Sequence, residues 1–355
     1  MEQSNSIPEM LDLMVRPAFA VKDGIITYAN EAAVSVFFTP GTAIEEFLDT
    51  GAEEYSALES GCLYLALRKD NCHWSACVTP VDGCNIFLLD QPQTQPELQT
   101  LELASRDLRQ PLSNILIAVD RLLPDLDRND PDILKHKAQL THNLYRLMRQ
   151  VDNMSDAAKY SASSSVRSEL RDITTVIGEI FEKATVLAEQ AGKTIKFTNL
   201  SHSVVCMTDT DKLERSIYNI VSNAMKYTPD GGIIEAQLTR RGTDLQLTVK
   251  DSGSGIADSV LRNLFSRHLR TPGFESPDQG TGLGMVLIRG AAAAHGGTVL
   301  IRRLPQGGTA ITMTLAIRKQ TSSDLASGTI RIDYAGGFDH ALIELADVLP
   351  DDLYL

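Results

Sequence analysis

Two asparagines and a lysine lie at helical spacing in the segment Asn219-Ile-Val-Ser-Asn223-Ala-Met-Lys226-Tyr227. Asn219 and Asn223 are four residues apart and Lys226 follows within a turn, so a helix would bring all three to one face. Neutral amide oxygens suit a Mg²⁺ ion that also takes phosphate oxygens, and a nearby lysine suits phosphate charge. The competing interpretation, an exposed and solvated helix face, is the more common reason for such an asparagine pair.

A carboxylate followed by glycines comes next, in Asp251-Ser-Gly253-Ser-Gly255, directly after the strand-like run LQLTVK. A carboxylate at a strand end can accept a hydrogen bond from an exocyclic amine such as that of adenine. Glycine lets the backbone approach a flat ring closely. For this segment taken alone, an ordinary glycine turn is the simpler interpretation.

The third segment, Gly280-Thr281-Gly282-Leu283-Gly284, opens the helix-like run MVLIRGAAAAH. Glycine-rich backbone at a helix N-terminus offers free N–H groups and the positive end of the helix dipole to a phosphate. No βαβ dinucleotide-binding unit surrounds it. Between the second and third segments, the polar run RHLRTPGFESPDQ has the composition of a mobile lid.

In this order, the three segments resemble the N, G1 and G2 boxes of the GHKL ATPase superfamily, and more closely the catalytic domain of bacterial sensor histidine kinases. The resemblance implies ATP and Mg²⁺ as cofactors, with Asn223 as the metal ligand and Asp251 reading adenine. The other residues it implies around the nucleotide are Asn219, Lys226, Tyr227, Gly253, Gly255, Gly280, Thr281, Gly282, Leu283 and Gly284. Phe265 resembles the first phenylalanine of the family's F box, whereas His268 stands at the second.

The segment SRDLRQPLSNI, 105–115, resembles the H box of these kinases, whose pattern is Ser-His-Glu-Leu-Arg-x-Pro-Leu. Asp107 matches the acid that helps to deprotonate the histidine, and Gln110 stands where relatives carry Thr or Asn to orient water. Arg106 replaces the phospho-accepting histidine. A guanidinium stays protonated and therefore cannot act as a nucleophile as a neutral imidazole does.

Other histidines offer no obvious substitute for the missing acceptor. If the hairpin turn centres near residue 127, His142 of the following helix lies about 9 Å from the level of Arg106, which is too far for it to replace the acceptor. His136 and His142 are therefore interpreted as solvated surface residues. His295 precedes two glycines at a helix end, and is interpreted as a cap that complements the helix dipole.

The periodicity predicts a multidomain α+β protein that positions these residues. Residues 1–90 alternate short strands with turns, including a hairpin through Asp23-Gly24, and DGIITYANEAA resembles the hairpin of a PAS sensor domain. After a linker at 91–96, apolar stripes predict two helices within 97–160. A lone helical hairpin cannot bury both apolar faces, so dimerisation into a four-helix bundle is expected.

Residues 167–318 form the ATP-binding unit, which the resemblance implies is a GHKL α/β sandwich. The predicted helices there are 174–191, 210–227 and 282–295, with strands of antiparallel character between them. The tail, 319–355, begins with a polar run. It then offers IRIDY as a strand and DHALIELADVL as a short amphipathic helix.

Composition narrows the classes of partner. The chain has 46 acidic against 33 basic residues and a formal net charge of -13, which disfavours nucleic-acid and anionic-membrane binding. No apolar run is long enough to span a bilayer, the polar N-terminus is not a signal peptide, and five cysteines suit a reduced cytosolic protein. Cys72, Cys77, Cys84 and His73 have two interpretations, a metal or redox site and ordinary buried cysteines on strands.

Three functions are consistent with these residues. The first is a cytosolic, dimeric sensor histidine kinase homologue that binds Mg-ATP but acts as a pseudokinase, or in trans on a related kinase within a heterodimer, with a response regulator as a further partner. The second is an active histidine kinase with an unconventional acceptor. The third is a GHKL serine kinase acting on a bound partner, as anti-sigma-factor kinases do, although the long dimerising hairpin argues against it.

Overall fold

The structure, a computed structural model, describes residues 7–70, 72–90, 95–122, 130–161, 169–256, 283–318 and 338–355. The elements before residue 123 are α1 (Ile7–Asp12), β1 (Ala18–Lys22), β2 (Ile25–Ala29), α2 (Glu31–Ser35), α3 (Ala52–Ser56), β3 (Cys62–Lys69), β4 (Cys72–Val81), β5 (Cys84–Leu89) and α4 (Gln95–Leu122). Those that follow are α5 (Pro131–Ser161), β6 (Glu169–Asp172), α6 (Ile173–Gln190), β7 (Thr194–Asn199), β8 (Val205–Thr208), α7 (Thr210–Tyr227), β9 (Ile233–Arg241), β10 (Asp244–Asp251), α8 (Leu283–Ala294), β11 (Val299–Arg303), β12 (Thr309–Ala316) and α9 (His340–Glu344).

The N-terminal strands form an antiparallel sheet in the order β2-β1-β5-β4-β3. The predicted hairpin is confirmed: Asp23 and Gly24 between β1 and β2 both have positive φ, at 50° and 79°, as a tight two-residue hairpin turn requires. Phe19 stacks on Phe38 and on Phe87 with ring centroids 4.8 Å apart, which closes an aromatic core on one face of this sheet.

Helices α4 and α5 pack against each other as the predicted helical hairpin. Leu116 of α4 meets Leu144 and Met148 of α5 in a buried cluster. Other large apolar side chains of these two helices are exposed, at Leu103, Leu108, Ile115, Ile117, Leu140 and Leu147. Among the described residues, one apolar face of the α4–α5 pair is therefore buried and another is exposed.

The C-terminal strands are ordered β11-β12-β10-β9-β7, with β9 to β12 antiparallel as predicted and β7 parallel to β9. Helices α6, α7 and α8 contribute to the apolar core of this sheet through residues such as Phe181, Ile217 and Ile288. Strands β6 and β8 form a separate antiparallel pair. This three-helix layer on a sheet places the ends of α7 and β10 and the start of α8 beside one another.

The two sheets are joined. Strand β3 pairs antiparallel with β11, through Leu63 opposite Leu300 and Cys62 opposite Ile301, so the strands make one ten-stranded sheet. Gly61 precedes this junction with φ of +95°, and a Cβ there would lie 2.2 Å from the Ile301 carbonyl oxygen. The sequence predicts separate units at 1–90 and 167–318. The pairing of β3 with β11 instead joins the two units through backbone hydrogen bonds.

The C-terminal segment 338–355 lies against α5, α6 and α7. Its helix α9 ends at Glu344, short of the amphipathic helix predicted over 339–349, and a 3₁₀ turn covers Asp351–Tyr354. The predicted strand IRIDY lies outside the described residues. Within the part of the chain that the structure describes, no helix is both long and apolar enough to cross a membrane.

Candidate functional site

Helix α7 runs over the residues predicted for it. Asp209 caps its N-terminus by accepting a hydrogen bond from the Lys212 amide at 3.2 Å, and the helix ends at Tyr227. Burial along α7 decreases toward the end of the helix. Asn219 is buried, Asn223 is half-buried, and Lys226 and Tyr227 are exposed. The predicted residues therefore lie on one side of the helix and reach solvent at its C-terminal end.

The side-chain amide of Asn219 has a fixed orientation. Its Nδ2 donates to the Arg215 carbonyl at 2.8 Å, and its Oδ1 accepts from Arg149 Nη2 at 3.4 Å. An oxygen that faces a guanidinium is poorly placed to ligate a cation, so of the two asparagines Asn223 is the better candidate for a metal. The contact with Arg149 of α5 is not evident from the sequence.

The start of α8 lies beside Asn219. A Cβ added to Gly284 would stand 2.9 Å from Asn219 Oδ1, so glycine is needed for this approach. Leu283 and Gly284 open the helix as predicted. Gly280, Thr281 and Gly282, like Phe265 and His268 of the lid segment, lie outside the described residues.

Asp251 ends β10 and is almost fully buried. Its Oδ1 accepts from the backbone amides of Gly253 at 2.9 Å and Thr309 at 3.2 Å. Burial raises the pKa of this carboxyl, and the backbone hydrogen bonds partly oppose that rise. The carboxylate is therefore held in one orientation at the edge of the sheet.

The turn after Asp251 packs on the end of α7. A Cβ on Gly253 would lie 2.2 Å from the Tyr227 carbonyl oxygen, and one on Gly255, whose φ is +76°, would lie 2.9 Å from the Gly308 carbonyl oxygen. The described parts of all three predicted segments thus meet around the C-terminal half of α7. Together they offer an amide, a cation, an oriented carboxylate and a helix N-terminus, a set that suits a nucleotide with a metal ion.

The hairpin segment 105–115 lies within α4, which continues through Pro111. Ser105 is buried and Asp107 is exposed, whereas the side chain of Arg106 lies outside the described part of the chain. Arg109 forms an ion pair with the buried Asp152 of α5, with Nε and Oδ1 3.4 Å apart. Burial is the main cause that raises the pKa of Asp152 to about 6, while Arg215 and Arg109 act in the opposite direction.

The interpretation of His142 as a solvated surface residue is wrong. Its Nδ1 lies 2.5 Å from Asp351 Oδ1 and its Nε2 lies 2.5 Å from the Ala346 carbonyl oxygen. Its ring also stacks on Tyr354. The C-terminal segment covers this histidine, so its burial depends on a contact across about two hundred residues, which local sequence cannot reveal. His136 is exposed, as expected.

The interpretation of His295 as a cap is confirmed in part. Its Nδ1 donates to the Ala291 carbonyl at 2.8 Å in the last turn of α8, and its Nε2 accepts from the Asp209 amide at 3.1 Å. Burial lowers the pKa of His295, and an Nε2 that accepts a hydrogen bond requires the neutral ring. His295 therefore joins two helix ends by hydrogen bonding and does not complement the dipole through charge.

The cysteines give no metal site in the described residues, since no group of three or more His, Cys, Asp or Glu side chains is placed to hold an ion there. Cys77 is buried, with its sulfur 2.8 Å from that of Cys62. Cys72 is exposed, so burial on a strand does not describe it.

Comparisons with known proteins relate part of this chain to histidine kinases. Residues 208–319 match the family model described as histidine kinase-, DNA gyrase B-, and HSP90-like ATPase. The sensor histidine kinase TmoS of Ectopseudomonas mendocina is 30% identical over 232 residues, which cover 64% of this chain and 23% of that protein. The sensor-like histidine kinase SenX3 of Mycolicibacterium smegmatis is 27% identical over 216 residues, which cover 60% of this chain and 55% of that protein.

Among solved structures, full-length ShkA in complex with AMPPNP aligns with a TM-score of 0.50 at 20% identity, over 63% of this chain and 47% of that chain. This likeness concerns the fold. The chain spans only about a quarter of TmoS and about half of SenX3.

Proposed function

Since this chain belongs to the sensor histidine kinase family, with a histidine kinase-like ATPase domain in its C-terminal half, we propose that it binds Mg-ATP without accepting the phosphoryl group at the usual hairpin position. It acts either as a pseudokinase or as a kinase on the histidine of a related partner. The observation that carries the proposal is the meeting of three separate segments around the C-terminal half of α7. The second part of the proposal, that the hairpin accepts no phosphoryl group, rests on Arg106 at the acceptor position.

Each segment has a role that its surroundings suit. Asp251 receives the adenine amine, because two backbone amides fix its carboxylate at the sheet edge. Asn223 holds Mg²⁺, since the oxygen of Asn219 is occupied by a guanidinium. Lys226 and the start of α8 face phosphate charge. The bound metal would neutralise part of the triphosphate charge.

Calorimetry on the full chain, with ATP in the presence and absence of Mg²⁺, tests nucleotide binding. Asn223→Asp should weaken Mg-dependent binding, and Asp251→Asn should weaken ATP binding about tenfold or more, because one oriented acceptor is lost. Asn143→Asp, on an exposed face of α5, is the matched control and should leave binding unchanged. A folded wild-type chain that binds no ATP with Mg²⁺ would contradict the proposal.

The hairpin supports dimerisation. Leu108, Ile115, Leu140 and Leu147 are each between 46% and 49% exposed, so burying the part that is still exposed is favourable by about 0.7–1.5 kcal/mol apiece, half of the value for a fully exposed side chain. A homodimer, or a heterodimer with a related kinase, would cover them in a four-helix bundle. In ultracentrifugation of the full chain, Leu147→Glu should shift the dimer toward monomer, and Val186→Glu on α6 should not. A wild-type chain that stays monomeric at high concentration would contradict this part of the proposal.

The remaining assignments complete a cytoplasmic signalling protein. The five-stranded antiparallel sheet before residue 90 serves as a PAS-like sensor domain. A response regulator is the expected downstream partner, and the acidic chain has neither nucleic acid nor membrane as a partner. Detection of phosphate transfer to a response regulator from a heterodimer, and not from this chain alone, would distinguish the trans-acting kinase from the pseudokinase.

A further inference from the structure

The C-terminal segment 338–355 occupies a groove between α5 of the hairpin and α7 of the ATPase domain. Ile343, Leu345 and Ala346 have no exposed surface. Tyr354 stacks on His142 of α5 with centroids 4.5 Å apart and donates through its hydroxyl to the Leu342 carbonyl at 2.8 Å. The segment is therefore packed as part of the fold and bridges two domains.

This segment brings two carboxylates to Arg149 of α5. Asp347 Oδ2 accepts from Arg149 Nη1 at 2.6 Å, and Glu344 Oε2 lies 4.0 Å from Arg149 Nε. Glu344 is fully buried, and its Oε1 also accepts from Arg215 Nε of α7 at 2.8 Å. Buried charges are tolerated only with partners, so these contacts restrict the position of the Arg149 guanidinium.

The same guanidinium contacts the nucleotide site. Arg149 Nη2 donates to Asn219 Oδ1 at 3.4 Å, on the side of α7 where Gly284 opens α8. Among the described residues, the buried Arg149 Nε and Glu344 Oε2 have no hydrogen-bond partner. Arg149 thus has donor capacity that its present partners do not use.

We propose that Arg149 is a positioning residue for the nucleotide site, which orients the amide of Asn219, and that the C-terminal segment 338–355 holds Arg149 in place. This inference rests on the proposed binding of Mg-ATP. It couples the hairpin and the C-terminal segment to the phosphate end of the nucleotide, while the adenine end at Asp251 stays independent. Any factor that displaces the segment then changes ATP affinity by the same factor as ATP changes docking of the segment.

The test compares Mg-ATP with adenosine, both titrated into the full chain by calorimetry. Arg149→Met should lower Mg-ATP affinity about tenfold, the equivalent of one charge-assisted hydrogen bond, and leave adenosine affinity unchanged. Arg149→Lys should restore part of the loss. Arg146→Met is the matched control, because Arg146 lies one turn earlier and also pairs with Asp347, at 3.3 Å, but is half-exposed.

A second variant tests the link without emptying a buried position. Asp347→Asn removes one carboxylate from Arg149 at a partly exposed site and should lower Mg-ATP affinity about threefold, with adenosine unaffected. Unchanged Mg-ATP affinity in both Arg149→Met and Asp347→Asn would overturn the inference, as would an equal loss for adenosine. A wild-type chain that binds adenosine and Mg-ATP equally would overturn it as well. A wild-type chain that binds neither would instead contradict the proposed function on which the inference rests.

Discussion

The candidate nucleotide site and the hairpin junction are held by different forces. At the nucleotide site, Asp251 and Gly253 are fixed by backbone hydrogen bonds and by close backbone approach to the end of α7. At the junction of α5, α7 and α9, buried guanidinium groups and carboxylates provide the polar contacts, through Arg149, Arg215 and Glu344. The first arrangement depends on backbone shape, and the second depends on charge. Substitutions of shape and of charge should therefore separate the two regions.

The largest effect is expected from breaking the charged junction. Glu344→Ala leaves Arg215 and Arg149 without their buried carboxylate and should lower the free energy of unfolding in urea by about 3–5 kcal/mol. Asp230→Ala removes the partner of Lys193 from an ion pair whose carboxylate is exposed, and it should cost less than about 1 kcal/mol. Equal effects of the two substitutions would show that burial of the junction does not matter.

A smaller effect is expected from changing backbone shape at the nucleotide site. Gly253→Ala places a methyl group 2.2 Å from the Tyr227 carbonyl oxygen, and neither backbone segment can yield cheaply. It should lower the free energy of unfolding by up to about 3 kcal/mol and abolish ATP binding. Gly178→Ala in α6 meets no atom within 4 Å and should be neutral or stabilising by about 0.5–1 kcal/mol. Normal ATP binding by Gly253→Ala would contradict the described approach of the turn.

The free energy of unfolding should depend on pH mainly through a carboxyl group at the junction, that of Asp152. The native pKa of Asp152 is about 6, above its ordinary 3.8, because the carboxyl is buried; Arg215 and Arg109 oppose the rise, and Glu344 and Asp156 add to it. Between these values the folded state binds a proton that the unfolded state has lost. The stability that this group contributes is therefore fully present below about pH 4 and is lost as pH rises through 6, by about 3 kcal/mol. Asp152→Asn should flatten this fall in urea titrations between pH 4 and 7, whereas Asp12→Asn at the surface should not. An unchanged slope in Asp152→Asn would contradict the burial of this carboxyl.

The sequence predicted the local features well and the long-range ones poorly. The Asp23-Gly24 hairpin follows from turn residues that tolerate positive φ, and α7 has the bounds that its periodicity predicts. The pairing of β3 with β11 depends on two edges far apart in the chain, although the unbroken apolar run CLYLAL is typical of a strand buried on both faces.

The polar core of the junction was missed for a related reason. Arg149 lies beside Met148 in the apolar stripe of α5, where an arginine looks like a residue at the edge of a solvated face. Its carboxylate partners are supplied by residues about two hundred positions away. No local pattern identifies such a pair before the fold is known.

We expect the ATPase domain to bind ATP while the hairpin lacks a phospho-accepting histidine. Incubation of the full chain with γ-labelled ATP and Mg²⁺, followed by acid and base treatment, tests it most directly, because phosphohistidine is labile in acid and phosphoserine is not. The wild-type chain should bind ATP but carry no acid-labile label, and Arg106→His, with Asp107 already adjacent, should gain one. Acid-labile phosphate on the wild-type chain would contradict this expectation, and acid-stable phosphate on a bound partner would favour a serine kinase.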